Sequence, residues 1–243
     1  MKNRLYVFII AIGTSLTFQS CEELGIFDQN QFLTNDEIIT GLREALMIGT
    51  DTAVSKLNAA DGFFGDEVVK ILLPEEAQPV YDVVKLLPTN IVENTILSIN
   101  RAAEDAAKEA GPIFVDAIVD MTIEDGLGIL HGNDTAATTY LRSKTQQQLF
   151  DAFQPKIEAS LSKKLVLNYS AEELYSKLIS AYNTASLGGF LFDEISTNSL
   201  SEHTTSRALR GLFIKVGDEE KLIRENPAHR VTELLEKVFA EQD

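Results

Sequence analysis

The sequence predicts an all-α fold, a single multi-helix, bundle-like domain behind an N-terminal signal segment. Three observations carry that expectation. Apolar residues recur at helical spacing along most of the chain, as in Ile38, Ile39, Leu42, Ala45, Leu46, Ala53 and Leu57. Hydroxyl residues followed three positions later by an acid or amide, the pattern of a capping box, stand before several of these runs. Glycine and proline, at 14 and 6 of 243 residues, are too scarce to break the chain into the short strands and turns of a β protein. A 44% hydrophobic and 24% charged composition excludes intrinsic disorder. The chain divides into a leader over residues 1–20, a tether over 21–33 and a helical domain over 34–243.

The elements come in order. Thr34 to Glu37 is a capping box, and the helix behind it should end near Ala59, before the Asp61-Gly62 turn. Val68 to Leu73, stopped by Pro74, reads as extended chain packed on helices. Residues 75–87 should be helical, and Pro88 should open a long helix to about Ala110, closed by Gly111-Pro112. Pro112 suits the first turn of the next helix, through Met121. Thr122 to Asp125 is a variant capping box for a short helix ending at Gly132. Asp134 should cap a helix carrying Ala136, Ala137, Tyr140 and Leu141. Thr145 to Gln148 should open another, with Leu149, Phe150, Phe153, Ile157 and Leu161, kinked at Pro155. Ser170 to Glu173 opens a helix through Tyr182, and Leu187-Gly-Gly-Phe190 breaks the pattern. Residues 199–216 resume helix, with Gly217 as its end, and a short helix over 218–225 precedes Pro227. Thr232 to Ala240 closes the chain.

The N-terminus gives the address. Lys2 and Arg4 precede an apolar run from Leu5 to Ile12, then Ser20 and Cys21, the one cysteine of the chain. The run is shorter than the ~20 residues that span a bilayer. A small residue and a cysteine closing such a leader resemble the lipobox of bacterial lipoproteins, although Phe18 and Gln19 stand where leucine and a small residue are usual. The resemblance implies cleavage before Cys21, diacylglyceryl attachment to its thiol and acylation, palmitate included, of its amine. Two or more acyl chains give a stable anchor. The reading therefore places the protein at the bacterial outer membrane, on the periplasmic side or the cell surface, with the membrane as a partner through Cys21. Without the leader the formal charge falls from −16 to −18, which excludes nucleic acid as a partner.

Two polar groups stand out. Asn100 and Glu104 share a helix face with Arg101 between them, among Ala102, Ala103, Ala106 and Ala107. A buried Arg101 or Glu104 needs a charged partner, with Arg43, Glu44, Arg142 and Arg224 available. Arg224, Asn226 and Arg230 flank an Asn-Pro break, where Asn226 can cap the next turn. Both groups read either as a polar pocket for a small anionic or zwitterionic ligand or as a network fixing helix register. The acid pairs Glu75-Glu76 and Glu219-Glu220 read as helix-start acids. His131, His203 and His229 are isolated, His131 at a predicted helix end, so no metal site, no cofactor motif and no nucleophile motif appears.

Several stretches taken in order resemble the bacterial family called domain of unknown function 4197. They are Gly41 to Leu46 with Gly49, Asp61-Gly-Phe63, Leu72-Leu-Pro74 and Asn100-Arg-Ala-Ala-Glu104. Phe114 to Ile118, Met121-Thr122 and Ala136-Ala-Thr138 with Tyr140 continue the series. Gly211-Leu-Phe213 and Ile223 to Pro227 with Arg230 and Thr232 close it. The chain departs from the family pattern at Gly126 and Gly128, which should loosen their helix, at Val231 and at His203. The resemblance implies an exported, mostly helical domain and supplies no reaction. The sequence therefore points to a non-enzymatic binding or interaction domain with an envelope protein partner. Its alternatives are a helical pocket for a small amphipathic ligand, or an enzyme built on Asn100, Arg101, Glu104 and Arg142.

Overall fold

A capping box sets the first helix, α1 (Asn35–Asn58): the Thr34 hydroxyl accepts from the Glu37 amide while the Glu37 carboxylate accepts from the Thr34 amide. The computed structural model describes residues 33–77, 79–80, 90–166, 169–191, 193–195, 199–230 and 232–240. The leader, Cys21, nearly all of the tether, Pro88 and Val231 lie outside them, as does most of the helix expected over 75–87, of which Glu75–Ala77 is a 3₁₀ turn.

The described helices are α2 (Ile91–Ala107), α3 (Ala110–Val119), α4 (Ile123–Leu130), α5 (Ala136–Leu161), α6 (Ala171–Ala185), α7 (Leu200–Glu225) and α8 (Glu233–Phe239). Residues from Leu33 onward form one compact all-α unit. The long helices α5 and α7 pack along each other, α2 and α3 lie on α5, and α1 crosses α7 while also touching α3, α4 and α8. Phe63, Phe114, Phe153, Leu57, Leu141, Leu149 and Ile157 fill the space between them. Phe114 and Phe213 meet edge to face at 6.1 Å. The capping boxes at Thr122 and Ser170 are present, and Thr232 caps α8.

Three expectations are corrected. Thr145 does not open a helix: α5 runs through it, and its hydroxyl donates to the Leu141 carbonyl inside the turn. The same helix carries Pro155 inside it, with Phe153, Ile157 and Leu161 buried on either side. Gly217 does not end α7. Val216, Glu219, Glu220 and Ile223 flank it and are all buried, which outweighs the ~1 kcal/mol a mid-helix glycine costs. Gly126 does not loosen α4: it is buried where α4 meets α1, and an added Cβ would collide with Ile39, whereas one at Gly128 would meet nothing. The sequence signals also miss a small antiparallel pair, β1 (Lys164–Val166) with β2 (Tyr169–Ser170). Within Val68 to Leu73, the first two residues belong to a turn, and the chain from Lys70 onward is non-helical and lies against the helices.

Candidate functional site

The group on α2 is a clamp on the loop that follows α1. Asn100 is wholly buried: its Oδ1 accepts from the Ile71 amide at 2.9 Å, and its Nδ2 donates to the Ile71 carbonyl at 2.8 Å and the Ile96 carbonyl at 2.8 Å. One side chain thus supplies both hydrogen bonds that a neighbouring strand would give this non-helical segment. One turn on, Glu104 Oε1 accepts from the amides of Phe63 and Phe64, and Oε2 accepts from Arg101 at 2.6 Å. Arg101 reaches on to Asp61 at 2.7 Å, and these acceptors hold its guanidinium more firmly protonated than usual, Glu104 first. The charged partner of Glu104 is therefore Arg101 itself, with Asp61 closing the chain, and not Arg43, Glu44, Arg142 or Arg224. Asp61-Gly-Phe63 and Asn100-Arg-Ala-Ala-Glu104 are two halves of one contact. Asp61 takes a positive φ of 65°, and Gly62 passes so close to the end of α1 that a Cβ would lie 2.3 Å from the Lys56 carbonyl oxygen.

The second group is a helix-end junction. Glu220, in the last two turns of α7, accepts from the Ala137 and Thr138 amides at 2.9 and 2.8 Å and from the Thr138 hydroxyl at 2.8 Å. It therefore caps the start of α5 across the fold, the task expected of Asp134; no side chain of Thr135, the residue at the cap position, does so. Arg224, one turn on, donates to Glu220 at 3.0 Å and to the Ile129 carbonyl at 2.8 Å, the last turn of α4. The buried pair thus joins an acceptor-rich helix end to a donor-rich one, charges matched to both dipoles. Arg230 donates to the Ile223 and Arg224 carbonyls at the end of α7, and both arginines lie over the Phe239 ring. Asn226 accepts from the Ala228 amide and caps the 3₁₀ turn Pro227–His229. The Glu219-Glu220 pair is not at a helix start: Glu219 pairs with Lys56 at 2.5 Å, and Glu220 serves another helix's start. The signal in the sequence was two acids at the centre of an apolar face.

Beside this junction an apolar cavity of about 30 Å³ is lined by Leu42, Leu46, Ile129, Val216 and Ile223. That is about a tenth of the smallest drug-sized pocket. Arg142 joins neither polar group. Its guanidinium stacks on Phe213 at 4.8 Å, beside an open cleft of about 700 Å³ between α5 and α7.

His131 closes α4 with its ring Nδ1 at 3.0 Å from the Leu127 carbonyl, as a cap. The ring of His203 reaches the Leu72 carbonyl at 2.9 Å. Among the described residues no three acids, histidines or cysteines gather in a metal-holding group, and no helix is long and apolar enough to cross a membrane.

One feature had only a break in periodicity to announce it. After α6, Leu187, Gly188 and Gly189 take positive φ values of 54°, 71° and 82° in succession. The turn is held from below by Ser186, fully buried, whose hydroxyl accepts from the Gly189 amide and whose carbonyl accepts from the Leu191 amide. Asn183 clamps Ile195 through both its amide and its carbonyl, as Asn100 clamps Ile71. Above this base Leu187, Phe190 and Leu191 are 66%, 83% and 60% exposed. A leucine in the left-handed region costs ~1–2 kcal/mol, and the fold holds it there while presenting three large apolar side chains to water.

A family model described as "Protein of unknown function (DUF4197)" matches residues 32–240. No curated protein and no solved structure matches the chain.

Proposed function

This chain belongs to the DUF4197 family, whose role is unknown, and on that premise we propose that it is a lipid-anchored envelope protein whose helical domain binds a protein partner and catalyses no reaction. The leader that closes on Cys21 supports the anchor and the outer-membrane address. The exposed loop from Leu187 to Leu191 carries the interaction reading. Large apolar side chains grouped at a built, strained turn mark a contact surface. Covering the exposed parts of Leu187, Phe190 and Leu191 is worth about 3–6 kcal/mol gross. Association itself costs about 4–15 kcal/mol, so the loop anchors a wider interface. The polar groups support the non-enzymatic part: Asn100, Glu104, Glu220, Arg224 and Arg230 are engaged with backbone groups and with one another, not with an open cleft.

The enclosed-pocket alternative draws on the 30 Å³ cavity, about a tenth of the volume such a ligand needs. The enzyme alternative needs Arg142 beside Asn100 and Glu104, whose atoms meet the 61–71 loop while Arg142 lies on Phe213.

Two experiments test the proposal. Cys21→Ala should release the protein from the membrane fraction; unchanged retention defeats the anchor. A photo-crosslinking amino acid at Phe190 in the native envelope should give a discrete adduct that the same group at Glu202 does not. The Phe190→Ser, Leu191→Ser variant should keep its melting temperature and lose the partner. Identical adducts from both positions would refute the contact surface.

A further inference from the structure

The cleft between the first turns of α5 and the middle of α7 has the makings of a small-molecule site that the interaction reading does not use. Its volume of about 700 Å³ falls within the range of ligand pockets. Its key side chain is Arg142. Phe213 beneath it is buried and braced by Phe114, so the aromatic face that carries the guanidinium is fixed. The guanidinium carbon lies 4.8 Å from the ring centroid, which seats the side chain against the aromatic face at the wall of the cleft. Among the described residues Arg142 makes no ion pair or hydrogen bond, although the chain carries 37 acids against 21 basic residues. An arginine pre-oriented by an aromatic face, with its donors unused, matches a carboxylate in fork geometry.

The rest of the lining narrows the ligand class. Asp134 and Asp218 stand in the same cleft as Arg142 and Lys221, so the cleft is locally balanced within a strongly acidic molecule. Lys215 is held at 2.7 Å by Asp66 and lies only 3.3 Å from Asp218. A simple anion meets the overall negative field, and a simple cation leaves the guanidinium unmatched. A zwitterion satisfies both signs. Ile214 and the Thr139 methyl and hydroxyl supply a mixed surface for a side chain. Gly217 lies on the α7 wall. A Cβ there would make only ordinary contacts, with Thr138 at 3.6 and 4.0 Å, so packing does not demand glycine. Its presence in mid-helix keeps the cleft open.

We propose that this cleft binds a small zwitterion of the amino-acid or dipeptide class, its carboxylate on Arg142 and its ammonium between Asp134 and Asp218. The first turn of α5 contributes no anion site, since Glu220 already occupies its Ala137 and Thr138 amides.

Calorimetric titration of the full chain tests this with three probes: L-leucine, 4-methylpentanoate, which lacks the amine, and 3-methylbutylamine, which lacks the carboxylate. Saturable binding of L-leucine is expected, with each of the other two at least about tenfold weaker. Arg142→Gln should weaken L-leucine about tenfold or more, and Gly217→Leu should abolish binding by filling the cleft. Asp134→Asn should weaken L-leucine without changing 4-methylpentanoate. Circular dichroism melts of the variants confirm folding. Absence of saturable L-leucine binding to the wild type, unchanged binding by Arg142→Gln, or 4-methylpentanoate binding as tightly as L-leucine would each overturn the assignment.

Discussion

Replacing Glu220 and Arg224 together by Met and Leu distinguishes a buried ion pair from a pair of helix caps. For an ordinary buried pair, apolar residues of similar volume are neutral or even stabilising by about 1–4 kcal/mol, because two charges no longer have to be dehydrated. Here the side chains are 6% and 8% exposed, and each also serves a helix end. Without Glu220 the Ala137 and Thr138 amides lose their acceptors at 2.9 and 2.8 Å in a buried position. Each orphaned amide costs about 1–3 kcal/mol. The Ile129 carbonyl loses its 2.8 Å donor as well. The orphaned groups outweigh the relief, and the double variant should be less stable by about 2–4 kcal/mol. With a urea m value of about 2–3 kcal/mol per M, the midpoint should fall by about 1–1.5 M at unchanged slope. Glu220→Met alone strands the buried Arg224 charge and should be no more stable than the double variant. Urea unfolding followed by far-ultraviolet circular dichroism measures both, and hydrogen exchange should speed up at Ala137 and Thr138. A double variant as stable as the wild type would refute the capping argument.

Three further outcomes rest on the same packing. Asn100→Leu leaves the Ile71 amide and carbonyl unpaired inside the fold, at about 2–4 kcal/mol, and should lower the melting temperature by about 5–15 °C in calorimetry. Gly62→Ala drives a Cβ onto the Lys56 and Leu57 carbonyl oxygens and should destabilise by about 1–3 kcal/mol, whereas Gly128→Ala, with open space around it, should stabilise by about 0.5–1 kcal/mol; chemical denaturation of the two variants checks the contrast. The hydrogen bond from Lys215 holds the Asp66 carboxyl below the ordinary carboxylate range. A depressed carboxyl stabilises the fold above its unfolded pKa of about 3.9 and stops doing so as pH falls through the folded value. Lys215→Met should therefore be less stable than the wild type at pH 7, with the difference closing as pH falls through the lowered folded value of Asp66, and NMR titration should find the Asp66 pKa raised towards about 3.9 in the variant.

Much of the helical order was legible because its causes are local. The boxes at Thr34, Thr122 and Ser170 and the cap at Thr232 use groups three residues apart, so the sequence contains both partners. Thr145 shows the limit: the same pattern in mid-helix is overridden when Leu141, Leu149 and Phe153 on either side are buried against other helices. Gly217 was misread as a stop for the same reason, since a local cost of ~1 kcal/mol does not end a helix held at both flanks. Asn100, Arg101, Glu104, Arg224, Asn226 and Arg230 were legible as polar groups, but their partners were not, and Glu220 read as a helix-start acid. Asp61, 40 positions from Arg101, and Ala137, 83 positions from Glu220, are joined to them only by the fold.

By itself, then, the sequence determined the all-α class, the places where most helices begin and the family, because helix periodicity and capping depend on neighbours within a few positions. Only the tertiary structure decided that Asn100 and Glu104 grip a loop, that Glu220 and Arg224 join two helix ends, and that Arg142 and the Leu187–Leu191 turn are left facing solvent. Those roles depend on which buried backbone groups lack a partner, and that is fixed only when distant segments pack together.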